Sequence, residues 1–95
     1  MGYRYEIYIG SDNSSRRISD SYLSKVIEWA NESFPEGYTL MSGRGYWKGE
    51  SEECLMINVL AEEDYLVPER LRKLKEYLGQ ESILLSKYRV DVESV

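Results

Sequence analysis

The segment Tyr3-Arg4-Tyr5-Glu6-Ile7-Tyr8-Ile9 alternates without a break: Tyr3, Tyr5, Ile7 and Ile9 fall on one side, Arg4, Glu6 and Tyr8 on the other. Successive strand residues point to opposite faces, so this is the pattern of a strand with one face against a core. The residues after Ile9 decide which fold that strand belongs to. A polar run, Gly10-Ser11-Asp12-Asn13-Ser14-Ser15, ends the strand. Leu23, Val26, Ile27 and Ala30 then recur at helical spacing, with Phe34 one turn later. Ser19 suits the N-cap and Asp20 the positive end of the helix dipole, while Pro35 and Gly37 stop the run.

Residues 37–48 read as a second strand, in which Gly43 and Gly45 suggest a bulge or a close backbone approach. Gly49-Glu50-Ser51-Glu52 reads as the turn. Residues 54–60 form a third strand, with Leu55, Ile57 and Val59 on one face and Met56, Asn58 and Leu60 on the other. A second helix covers residues 65–78, with Pro68 in its first turn, Leu71, Leu74 and Leu78 as its apolar stripe, and Gly79 as its C′ residue. The last strand, residues 82–92, shifts its alternation between Leu85 and Tyr88, which predicts a bulge. The order predicts a ferredoxin-like βαββαβ domain over residues 1–95, an α+β sandwich with a four-stranded antiparallel sheet and two helices on one face. The uncovered face should carry Tyr8, Met56 and Leu60, joined by Leu84 and Tyr88. An apolar face of that kind predicts a homo-oligomer, in the first instance a homodimer, formed through the open sheet face or its edges.

Composition narrows the function. The chain has 95 residues, 12 Lys+Arg against 17 Asp+Glu, and a formal net charge of −5, which disfavours generic nucleic-acid binding. It holds no histidine, so imidazole bases, Ser-His-Asp and Cys-His systems and His-containing metal sites are excluded. The lone Cys54 cannot make an intrachain disulfide. No apolar run is long enough to span a bilayer, and residues 1–6 carry charge where a signal peptide needs an apolar segment. A cytoplasmic protein without membrane contact is expected. The acidic run Glu62-Glu63-Asp64 reads as a solvated approach to the second helix, and neither a metal site nor a cofactor is expected.

Phe34-Pro35-Glu36-Gly37-Tyr38-Thr39-Leu40 followed by Gly43-Arg44-Gly45-Tyr46-Trp47 is similar to a family of small bacterial proteins known only as a domain of unknown function, whose members show Phe-Pro-acidic-Gly-aliphatic-Thr and then Arg-Gly-x-Trp. Gly79-Gln80-Glu81-Ser82 resembles that family's entrance to its final strand, and Tyr8-Ile9-Gly10 its first strand end. The resemblance implies the same element order and no assigned activity.

In this topology the loop 10–17, the hairpin 44–52 and the turn 79–82 share one end. Arg44, Lys48, Arg16 and Arg17 give that end positive charge on an acidic protein, Tyr46 and Trp47 give it flat surfaces, and Gln80 and Ser82 add polar groups. Guanidinium forks bind phosphate and aromatic faces stack on bases, so a small anionic, nucleotide-like ligand fits. The competing structural reading places Trp47 in the core or an interface and pairs Arg44 with Glu6 or Glu81. Two other functions remain open. One is a small acidic protein that masks a partner, of the inhibitor or anti-defence type, with Glu50, Glu52, Glu53, Glu62, Glu63 and Asp64 as complementary charge. The other is a cofactor-independent enzyme of the dimeric α+β barrel kind, which rests on fold analogy and selects no catalytic residue.

Overall fold

The computed structural model describes residues 1–12 and 15–95, so Asn13 and Ser14 of the polar loop lie outside the described residues. The elements run β1 (Gly2–Gly10), α1 (Asp20–Ser33), β2 (Thr39–Trp47), β3 (Glu50–Ala61), α2 (Val67–Leu78) and β4 (Leu84–Val90). The strands order as β2-β3-β1-β4 with every neighbouring pair antiparallel. This is the ferredoxin-like arrangement that the alternation and the helical stripes predict.

Register turns each alternating strand into rows across the sheet. Leu40, Ile57, Ile7 and Leu85 form one row facing the helices, and Val59 and Tyr5 lie in the next. Tyr5, Ile7, Ile9, Ile57 and Val59 are sealed there against Tyr22, Val26 and Ala30 of α1 and Val67, Leu71 and Leu74 of α2. Each such aliphatic side chain contributes roughly 1.5–3 kcal/mol by leaving water. Buried Phe34 closes the gap between the helices, with its ring edge-on to Trp29 at 5.5 Å and to Tyr65 at 5.8 Å. Arg70 ties the same corner by donating to the carbonyls of Tyr65 and Ser33.

The helix ends follow the residues read for them. Ser19 Oγ accepts the Tyr22 N–H at 3.2 Å, capping α1. Gly79 takes φ 71 and donates to the Glu76 carbonyl, while the Gln80 N–H reaches the Lys75 carbonyl, so α2 ends in a left-handed cap. The start of α2 is shifted: Tyr65 stays outside the helix, its hydroxyl donating to Glu36, and Leu66 at φ 53 makes the turn into it.

Three expectations are corrected. Gly43 and Gly45 make no bulge; the β2–β3 ladder is continuous from Thr39↔Asn58 to Trp47↔Glu50. A Cβ on either glycine would meet its neighbours at ordinary contact distance, so no close approach is required. The turn is the two-residue Lys48-Gly49, not Gly49–Glu52, because φ of 51 and 82 at those positions gives the left-handed pair that matches strand twist. In β4 the ladder from Tyr8↔Leu84 to Gly2↔Val90 is also unbroken. The apparent change of phase has a different cause: Lys87 and Arg89 occupy helix-side positions. Lys87 Nζ lies over the Tyr3 ring at 4.7 Å and pairs with Asp64 at 2.7 Å, so an aromatic floor and a carboxylate hold an exposed charge on the helix-side face.

The opposite face carries no helix. Met41, Met56, Tyr8 and Leu84 form an apolar row across all four strands, and Thr39, Asn58, Glu6 and Ser86 form a polar row beside it. Leu60 and Tyr88 follow on either side of Arg4, whose guanidinium covers the Tyr88 ring at 4.5 Å. Tyr8, Leu60, Leu84 and Tyr88 are exposed there and Met56 is half-buried, as the alternation predicts. Among the described residues no helix is long and apolar enough to cross a membrane.

Candidate functional site

β1 pairs with β3 only as far as Gly10↔Cys54. The last four pairs of the hairpin, Arg44↔Glu53, Gly45↔Glu52, Tyr46↔Ser51 and Trp47↔Glu50, therefore project past the end of β1 as a two-stranded arm. The segment after β1 turns back along this arm. The Glu53 N–H donates to the Arg16 carbonyl at 3.0 Å, Glu53 accepts from the Ile18 N–H at 3.2 Å, and Ser11 Oγ donates to Glu52 at 3.0 Å.

The turn after α2 joins the same end. Gln80 Nε2 donates to the Ser11 carbonyl at 2.7 Å and lies 2.9 Å from the Tyr22 hydroxyl, which itself donates to the Gly10 carbonyl at 2.5 Å. Ser11 is buried, so this polar node is shielded and its bonds weigh more than surface ones. The loop after β1, the hairpin and the turn after α2 thus converge.

Convergence does not put every candidate side chain in one place. Trp47 and Tyr46 are 72% and 71% exposed, so neither is a core anchor. Alternation splits them: Arg44 and Tyr46 share the helix-side face of the arm with Leu40, whereas Trp47 shares the open face with Met41. Arg44 donates to Ser51 Oγ at 3.2 Å and pairs with neither Glu6 nor Glu81. Lys48 Nζ stands 5.9 Å from the Trp47 ring centroid. Among the described residues no carboxylate forms an ion pair with Arg44, Lys48 or Arg17.

Beside the tip lies an open depression of about 210 Å³ lined by Arg16, Trp47, Glu50, Ser51 and Glu52. Arg16 enters it already paired, its guanidinium 2.6 Å from Glu50. Gln80 faces the buried node and not this depression. Ser82 lines a separate, more apolar groove of about 250 Å³ between α2 and β4, with Leu71, Arg72, Lys75 and Ile83. Arg17 is exposed, its N–H bonded to Ser15 Oγ. The structure thus gathers Arg16, Trp47 and Lys48, places Arg44 and Tyr46 across the arm, and sets Gln80 and Ser82 apart.

The roles of Glu50, Glu52 and Glu53 as anchors of the loop 11–18 were not legible in the sequence. Their partners lie about 35 residues or more away, and no local pattern announces the pairing. Alternation within a strand would have placed Glu50 and Glu52 on one face and Glu53 on the other, and that was the only available signal.

Tyr5, Tyr8, Tyr22 and Tyr65 have their acidities moved away from catalysis by phenolate. Burial and then the hydrogen bond to Asp64 push Tyr5 up to about 12, and burial raises Tyr22 while the Gln80 bond opposes it. Tyr8 is raised by its bond to Glu6, and Tyr65 by burial and Glu36. A general base acting near neutrality needs the opposite direction.

No protein-family model matches the sequence, and no curated protein is significantly similar to it. Similarity is found among solved structures. One is CPII, a nitrogen regulatory PII-like protein from Thiomonas intermedia K12 bound to ADP, AMP and bicarbonate, at TM-score 0.65 and 14% identity, covering 99% of this chain and 94% of that one. A DUF3240 family protein from Shewanella baltica OS155 is similar at TM-score 0.60 and 13% identity, over 98% of this chain and 94% of its own. A phage SAM lyase in complex with S-methyl-5′-thioadenosine is similar at TM-score 0.61 and 16% identity, over 92% and 80%. At these identities the likeness is one of fold, the ferredoxin-like arrangement described above. The likeness to a protein of an uncharacterised family is therefore structural, and the motif from Phe34 to Trp47 finds no family model behind it.

Proposed function

We propose that the chain is a non-catalytic binding module that captures a small anionic, nucleotide-like ligand at the hairpin end. The base stacks on Trp47 and the adjacent Lys48 meets the charge, while Arg44, on the other face of the arm, meets charge that extends past the hairpin tip. The observation that carries this reading is the bare indole at the arm tip, 72% exposed and flanked by an ammonium group that no carboxylate among the described residues pairs. An exposed Trp next to unpaired cations suits a π-faced anion better than it suits water. Two structures of the same fold hold adenine compounds, ADP and AMP in one and the uncharged S-methyl-5′-thioadenosine in the other, which adds support for the adenine part of the ligand.

The module works as a homo-oligomer in the cytoplasm, assembled through the open sheet face. The continuous apolar row Met41-Met56-Tyr8-Leu84 supports self-association, as do Arg4 Nε and Asn58 Oδ1, two polar atoms on that face shielded from water without a partner. The partner-masking alternative is less well supported. Of its six carboxylates, Glu50, Glu52, Glu53 and Asp64 are engaged within the chain.

The test is a thermal-shift series with ADP, AMP, S-methyl-5′-thioadenosine and bicarbonate on wild type, Trp47→Ala and Arg44→Ala. A ligand at a hundredfold excess over its Kd should add about 2.7 kcal/mol of stability to the wild type. Loss of that shift in both variants is the expected result. Flat curves for every compound would overturn the reading.

A further inference from the structure

Arg16 sits at φ 57, a left-handed conformation that a side chain with a Cβ adopts at a cost. Its backbone is held there from both sides: its N–H donates to the Asp12 carbonyl at 3.0 Å and its carbonyl accepts from the Glu53 N–H at 3.0 Å. Glu53 in turn fixes the Ile18 N–H. A strained residue whose backbone is over-determined while its side chain is free to exchange is a positioned side chain.

That side chain enters the depression beside Trp47, where its only ion-pair partner among the described residues is Glu50. The pair is exposed, 54% on the Arg16 side and 65% on the Glu50 side, so water competes with it and its net worth is small. Backbone and side chain are therefore held with very different strength.

We infer that Glu50 is an internal stand-in for the ligand's anionic group: it occupies the Arg16 guanidinium when the depression is empty and is displaced when a phosphate-bearing ligand stacks on Trp47. The inference rests on the binding site proposed above and adds a residue to it. A guanidinium fork presents the same donors to a phosphate as to a carboxylate, and a dianionic phosphate brings twice the charge of the carboxylate it replaces. Displaced Glu50 is already at the surface, so its release into water leaves no buried charge.

The test is titration calorimetry with ADP and with uncharged adenosine on wild type, Glu50→Gln, Arg16→Asn and the double variant. Asparagine is chosen because it tolerates the left-handed backbone, which keeps the loop intact. Glu50→Gln should tighten ADP about two- to fivefold, the ratio equivalent to a surface ion pair, and leave adenosine unchanged. Arg16→Asn should weaken ADP, and in that background the gain from Glu50→Gln should vanish. An equal gain without Arg16 would mean that Glu50 acts only through general charge, and the exchange would be wrong. If ADP binds wild type and is lost in Trp47→Ala while Glu50→Gln changes nothing, the exchange fails and the binding site stands. If ADP binds none of the proteins, both fall.

Discussion

Gln80 Nε2 lies 2.7 Å from the carbonyl oxygen of Ser11, a contact between residues 69 apart in the sequence. The same nitrogen reaches the Tyr22 hydroxyl, so one amide group connects the turn after α2, the loop after β1 and the first turn of α1. Gln80→Ala leaves the Ser11 carbonyl without this donor in a shielded place, and should cost about 1–3 kcal/mol in urea unfolding. Tyr22→Phe should cost less. The double variant should cost less than the sum, because both changes remove the same bond.

The clasp between Asp64 and Lys87 makes stability sensitive to acid. The hydrogen bond from Lys87, then that from Tyr5, holds the Asp64 carboxyl down at about 2, against an ordinary value of 3.8. A group whose folded value is depressed contributes stability above its unfolded value and loses that contribution as the pH falls through the folded one. Wild type should therefore lose stability between about pH 3.8 and 2 in a component that Asp64→Asn lacks. Tyr5 gives the mirror image, with a contribution present below 10.0 and lost as the pH rises towards about 12. Tyr5→Phe should flatten that alkaline limb. Chemical denaturation across pH reads both.

At the hairpin turn, stability and binding should separate. Lys48 holds φ 51 at the first position of a turn that favours Asn-Gly. Lys48→Asn should raise stability by about 0.5–1 kcal/mol by easing that backbone. It also removes the ammonium beside Trp47, so ADP affinity should fall in the same variant. A variant that is both more stable and still binds normally would remove Lys48 from the site.

Charge placed on the open face should break self-association. Leu60 and Leu84 are 58% and 69% exposed at opposite edges of the apolar region. Leu60→Glu together with Leu84→Glu should convert an oligomer to monomer in light scattering while the far-ultraviolet circular dichroism is kept. A wild-type protein that is itself monomeric at high concentration would refute assembly through this face.

The fold was legible where local periodicity reports burial directly. Tyr3 to Ile9 alternates because β1 is central and faces the helices along its length, and Leu71 and Leu74 recur because α2 covers one face. Reading failed where a position's environment is set from far away. Lys87 and Arg89 stand on the helix-side face of β4 but remain exposed, at positions where the apolar rule expects aliphatic residues, so the strand looked bulged when it is regular. Tyr22 was absent from the α1 stripe although it is among its buried residues, because its hydroxyl is satisfied by Gly10 and Gln80. The candidate site was legible in part for the same reason. Composition shows the Arg, Lys and Trp of the hairpin, whereas the split of Arg44 from Trp47 depends on register, and the pairing of Arg16 with Glu50 depends on a loop folding back.

The strand order has a consequence for synthesis of the chain. β1 emerges before the strands that flank it, yet it ends up between β3 and β4. Until residues 50–61 have left the ribosome, both of its hydrogen-bonding edges and the side chains of Tyr5, Ile7 and Ile9 are without their native neighbours. Arg4 and Glu6 interrupt that apolar segment at every second position until Ile7, and charges so placed discourage two nascent chains from pairing edge to edge. The two charges that β1 places on the open face of the finished sheet thus also serve as gatekeepers while the chain is still incomplete.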